Sequence, residues 1–172
     1  MSNIFILLII PLLFLSGHHS NDVLKIRKIL SPDKSHYAII TTYHFKSKGS
    51  SESKIKIFSS KENVQAYKSF ISKDHKHGME IIKTEWSGDS KFFVFNGVIQ
   101  GGHQPGHLPT YFFSRVSNKI QSLDPLLGIW VTGNFNILSN DRLSVPVRDR
   151  LPNGSFSDSL VKKIDLKDLR RK

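Results

Sequence analysis

The chain has 172 residues, enough for one domain or two very small ones. Hydrophobic residues make up 38% and Phe alone occurs 12 times, too apolar for a disordered chain, and the absence of Cys excludes disulfides, thiolate metal sites and cysteine nucleophiles. Lys and Arg number 25 against 14 Asp and Glu; the net charge of +11 favours anionic partners without identifying them.

Residues 4–15 read IFILLIIPLLFL, the length of a signal-peptide core and shorter than the roughly 20 apolar residues of a membrane-spanning helix. Ser16 and Gly17 follow, small enough for a cleavage site. Residues 1–17 are therefore expected to be a secretory signal peptide, and 18–172 a single β domain. An uncleaved anchor or an apolar first strand are the alternatives. Leu15-Ser16-Gly17 also begins like a lipobox, but His18 stands where the lipid-bearing Cys would be. Residues 1–20 carry no charged side chain, so the mature part keeps the whole positive charge. A periplasmic or secreted location is expected, which puts nucleic acid behind envelope components as an anionic partner.

Along the mature chain the dominant period is two. Val23 to Leu30 alternates loosely, and Tyr37 to Phe45 is rich in β-branched and aromatic residues. Lys54-Ile55-Lys56-Ile57-Phe58 alternates charge with bulk. Residues 61–71 fit a short helix or a strand equally. Phe92-Phe93-Val94-Phe95 and Tyr111-Phe112-Phe113 read as paired core strands, followed by strand patterns over 134–138, 143–147 and 160–166. Ser47-Lys48-Gly49-Ser50-Ser51, Ser117-Asn118-Lys119 and Pro152-Asn153-Gly154-Ser155 supply turns between them. This is an all-β, mainly antiparallel pattern.

A strand–turn–strand unit recurs. Its copies centre on Ser31-Pro32-Asp33, Ser87-Gly88-Asp89 and Ser139-Asn140-Asp141, with the serines at intervals of 56 and 52 residues. Each has an apolar residue before it and an alternating strand after it. The Ser hydroxyl and Asp carboxylate can accept hydrogen bonds from turn amides that a strand ladder leaves unpaired, so these are turn formers. Repeats of approximately 21–75, 76–130 and 131–172 follow.

Trp86-Ser87-Gly88-Asp89-Ser90-Lys91-Phe92-Phe93-Val94-Phe95 resembles the WSPDG-strand signature of TolB-type and other WD-like β-propeller blades, and Ser31-Pro32-Asp33 is similar. The three motifs cover about a fifth of the chain. Lys34, Ser90 and Arg142 stand where the family has Gly, and three units fall short of the four to eight blades of a closed propeller. The resemblance implies three propeller-like antiparallel repeats in an open or incomplete propeller, with a β-sandwich as the alternative. It also implies a binding or scaffolding platform in the bacterial cell envelope rather than a particular reaction.

The most unusual stretch is 97–109, with four of the 11 glycines, two prolines and two histidines. It interrupts one hairpin, and long irregular loops on β scaffolds often carry function. Backbone amides at Gly101 and Gly102, with hydrogen bonds from His103 and His107, form the candidate ligand-binding site. Loop glycines and prolines that only set turns are the plainer account. His103 and His107 have the four-residue spacing of helical zinc ligands, but Pro105 and Gly106 argue against that helix. His75 and His77 could join them only if the loops meet. No metal, cofactor or catalytic residue is assigned. The expected function is non-enzymatic binding or scaffolding with an anionic envelope component or protein. A metal-dependent or hydrolytic enzyme using the 97–109 loop is the alternative. Membrane-surface association enters if several aromatics prove exposed beside lysines.

Overall fold

The computed structural model describes residues 22–61, 63–101, 106–149 and 151–171. The expected leader, residues 1–17, lies outside them, as do Gly102 and His103. The chain is all-β and forms three antiparallel sheets, none closed into a barrel. The first sheet is a meander of β1 (Asp22–Leu30), β2 (His36–Phe45), β3 (Ser50–Ser59) and β4 (Val64–Ser69). The second repeats that order with β5 (Met79–Trp86), β6 (Phe92–Ile99), β7 (Thr110–Ser114) and β8 (Lys119–Ser122). A short helix α1 (Leu123–Leu127) leads into the third: β9 (Ile129–Val131), β10 (Asn136–Leu138), β11 (Arg142–Asp149) and β12 (Leu160–Asp165). Two packed sheets would have made a sandwich; three replace that alternative. The ambiguous 61–71 segment contributes β4, a strand.

The sheets stack face to face, because each strand's period of two divides its side chains between two faces. On β2 and β3, Ala38 opposes Ile57 and Ile40 opposes Ile55, all buried against the second sheet. The second sheet is apolar on both sides. Phe93, Phe95 and Phe113 join the core it shares with the first sheet, while Phe92, Val94 and Phe112 join the core it shares with the third. This is why Phe92–Phe95 reads as an unbroken apolar run rather than an alternation. From the third sheet, Leu143, Val145 and Val147 close the second core.

In the third sheet β9 and β10 lie in line along one edge of β11, β10 beside Arg142–Ser144 and β9 beside Val147–Asp149. The break between them falls at Pro146, which has no N–H to offer that edge. Gly133 passes so close that a Cβ there would lie 2.9 Å from the Pro146 ring.

The turns before β2 and β6 share one construction, and the turn before β11 keeps only its left-handed residue. Ser31 Oγ donates to Asp33 Oδ1 (2.6 Å) and accepts from the His36 amide (3.0 Å). Ser87 does the same with Asp89 (2.8 Å) and the Phe92 amide (3.0 Å). Lys34, Ser90 and Asp141 occupy the left-handed region at φ of +57°, +63° and +57°. The third turn is thus shifted by one residue from the sequence reading: Asp141, not Arg142, is the counterpart of Lys34 and Ser90. Its Ser-x-Asp was a near coincidence, with Leu138 where Ser31 and Ser87 stand.

This register makes sense of the contacts between turns. The Asp33 amide donates to Ser90 Oγ (3.0 Å), and the Asp89 amide donates to Asp141 Oδ1 (3.5 Å). Each turn therefore engages the left-handed residue of the next. Asp33, held by the Ser31 and Ser35 hydroxyls, the Ser35 amide and Arg115, ionises well below the usual carboxylate range. Burial opposes ionisation of Asp89, but Lys91 and the Ser87 hydroxyl hold it at about 2. Lys34 is exposed, so its strain can be relieved without losing a partner turn. Lys34→Gly is expected to raise stability by about 0.5–1 kcal/mol, seen as a higher urea midpoint with unchanged slope.

Candidate functional site

The expected 97–109 loop begins later than the sequence suggests: Gly97–Ile99 still belong to β6, paired with Met79–Ile81, and residues 100–109 connect it to β7. Two of its described glycines sit where backbone approaches backbone, while Gly106 faces open space at φ +83°. A Cβ on Gly97 would lie 2.3 Å from the Glu80 carbonyl oxygen, and one on Gly101, at φ +65°, would lie 2.6 Å from the Lys76 carbonyl oxygen. The Gln100 amide donates to the Gly78 carbonyl (2.8 Å). The two histidine-bearing loops therefore do meet, but what they bring together is Gly101 with Lys76 and His77. A cavity of about 230 Å³ between Phe70, His77, Ile99 and Tyr111 lies beside this contact. His77 itself is exposed and pairs with Asp74 at 2.5 Å. The Lys76 amide, the Ser72 hydroxyl and His77 hold Asp74 well below the usual carboxylate range.

His107 lies in a different setting. Its imidazole is 86% buried, with Nε2 3.3 Å from Asp124 Oδ1 and the ring centroid 4.3 Å from that of Trp130. The same Asp124 carboxylate accepts the Val131 amide (2.9 Å) and the Thr110 amide (3.2 Å). One side chain on α1 thereby ties the loop's end to β7 and β9. Phe156 meets the Trp130 ring edge-on at 4.6 Å, and a cavity of about 370 Å³ lies between them and Pro125. His107 Nδ1 is shielded from solvent and has no hydrogen-bond partner among the described residues. Among the described residues no three His, Asp or Glu side chains gather in a metal-holding group.

The sequence reading passed over a larger feature, the outer face of the first sheet. β2 is apolar on both faces: Tyr37, Ile39 and Tyr43 point away from the core side occupied by Ala38 and Ile40. Lys54, Lys56 and Phe58 from β3 and Tyr67 from β4 complete a groove of about 590 Å³. Lysines on a strand can protect a sheet edge, but β3 lies inside its sheet, between β2 and β4. Lys54 and Lys56 therefore guard no edge. Lys28 Nζ stands 4.2 Å over the Tyr37 ring, and Lys54 Nζ stands 5.1 Å over that of Tyr43. Tyr37 and Phe58 stack at 5.0 Å. Among the described residues no carboxylate lines the groove. The signal was present in the sequence as two interleaved stripes, Tyr37-x-Ile39-x-Thr41-x-Tyr43 and Lys54-x-Lys56-x-Phe58.

The opposite end of the stack differs. The third sheet's outer face presents Arg142, Ser144 and Arg148 from β11 and Lys163 and Asp165 from β12. The same face also carries Leu138, Trp130, Pro146 and Val161, so it is a mixed, basic face rather than a uniformly apolar one. On the first sheet Ile26, Leu30, Val64 and Tyr67 are each more than half exposed.

No family model, curated protein or solved structure matches this chain.

Proposed function

We propose that the chain is a non-enzymatic binding and scaffolding module, exported to the cell envelope or beyond, whose partner carries negative charge. The observation that carries the binding role is the outer face of the first sheet, where aromatic and aliphatic side chains lie open beside lysines with no carboxylate among the described residues of the groove. The meander order of the sheets and the linked turns support reading them as propeller-like blades in an open stack. The apolar run at residues 4–15 supports export.

The test separates a site from bulk charge. Lys54→Glu with Lys56→Glu changes net charge by the same amount as Arg148→Glu with Lys163→Glu on the third sheet's outer face. The probes are poly-glutamate, polygalacturonate and phosphatidylglycerol vesicles in about 150 mM salt, which screens diffuse attraction beyond roughly 8 Å. The first pair is expected to weaken binding of at least one probe tenfold or more, and the second less than twofold. Equal losses from both pairs would reduce the interaction to net charge.

A further inference from the structure

The uncovered face of the first sheet also carries information about what kind of partner covers it. Its plan area, four strands wide and about eight residues long, is roughly 500 Å², shared between apolar side chains and Lys28, Lys54 and Lys56. Within the chain, comparable faces are covered by another sheet: the second sheet covers the first, and the third covers the second.

A second copy of the chain does not fit. Two copies of this face would set Lys28, Lys54 and Lys56 against their own images. The outer face of the third sheet of another copy offers Arg142, Arg148 and Lys163 and, among its described residues, only the Asp165 carboxylate against them. Either pairing juxtaposes like charges, which costs several kcal/mol across an interface.

Stacking ligands fit less well than a protein surface. Sugars and bases bind by laying a flat face on an open ring. Tyr37 is flanked by Lys28 from β1 on one side and by Phe58 from β3 on the other. Tyr43 is covered by Lys54. Tyr37 therefore presents its edge, while Ile26, Leu30 and Val64 add exposed aliphatic contact area suited to a protein surface.

Resting on the binding role proposed above, we infer that the outer face of the first sheet docks an acidic protein surface, whose apolar side chains pack on Ile26, Ile39 and Tyr67 and whose carboxylates meet Lys28, Lys54 and Lys56. The partner takes the place that a further sheet of this chain would occupy.

The experiment uses the full chain and four probes at equal charge concentration: a random glutamate–tyrosine copolymer, polygalacturonate, a single-stranded oligonucleotide and phosphatidylglycerol vesicles. The readouts are affinity and protection of individual lysines from acetylation. The copolymer is expected to bind at least tenfold more tightly than polygalacturonate and to slow acetylation of Lys54 and Lys56 at least fivefold. Ile26→Ser with Tyr67→Ser, both exposed positions, should weaken the copolymer at least fivefold and leave polygalacturonate unchanged. If polygalacturonate, the oligonucleotide or the vesicles protect these lysines as well as the copolymer does, the inference of a protein partner falls and the binding role stands. If no probe protects them, both fall.

Discussion

Glu52→Ala is expected to destabilise the protein by about 3 kcal/mol. Glu52 is fully buried, and its carboxylate organises the β4–β5 connection. Oε1 accepts the Gly78 amide (2.8 Å) and the Ser72 hydroxyl (2.7 Å), and Oε2 accepts the Ser72 amide (3.0 Å). His75 Nδ1 lies 3.7 Å from Oε2, and its ring stacks on Phe45 at 4.0 Å. Gly78 is required for the approach, since a Cβ there would come within 2.3 Å of Glu52 Cδ. Removing the carboxylate strands two amides that water does not readily reach. For a chain of this size the melting temperature should fall by about 6–12 °C. Glu52→Gln keeps the volume but turns one acceptor into a donor that faces Ser72 or Gly78, and should cost about 2 kcal/mol. Urea denaturation of both variants checks this; a glutamine variant as stable as the parent would show that the negative charge is dispensable. Gly101 leans on the same connection through Lys76 and His77, so the alanine variant should also loosen the 97–109 loop.

Trp86→Ala should cost about 3–5 kcal/mol. The indole is 6% exposed at the junction of the first two sheets, 4.9 Å from Phe93 and edge-on to Phe113 at 6.4 Å. Its Nε1–H donates across the junction to the Ile29 carbonyl (3.2 Å). Trp86→Phe retains most of the apolar contact and loses that bond, so a smaller loss of about 1–2 kcal/mol is expected. Equal losses in the two variants, read from urea midpoints, would place the whole effect in the hydrogen bond and none in the packing.

Much of the architecture could be read from alternation and turn chemistry. The strands that emerged from the sequence, β1, β2, β3, β6, β7, β10, β11 and β12, keep a period of two, loosely in β1, or a continuous apolar run. β5 was seen only at its end, Glu85-Trp86, because a register shift between Ile81 and Lys83 breaks its alternation. β8 and β9 are too short for a period to show. The third turn was found one residue out of place because Ser139 and Asp141 copy the letters of the motif without its backbone, and only the positive φ of Asp141 fixes the register.

The candidate site was less legible. His107 stood out by composition, yet its neighbours Asp124, Trp130 and Phe156 come from three later segments that no spacing links to it. The lysine–aromatic face was written in β2 and β3, but deciding which of two apolar stripes faces the core needs the sheet beside it. Periodicity finds faces; it does not say which one is covered.

The double-sided burial of the second sheet also has a bearing on synthesis. A chain ending at Ser122 would hold Phe93, Phe95 and Phe113 against the first sheet but leave Phe92, Val94 and Phe112 in water. Those side chains find cover only when β11 has been made, some 20 to 25 residues later. At bacterial-like elongation rates of about 5–20 residues per second, the half-made protein spends at least about a second with a phenylalanine-rich sheet face open. A chaperone that holds chains during translation would find its natural purchase there, on the second sheet.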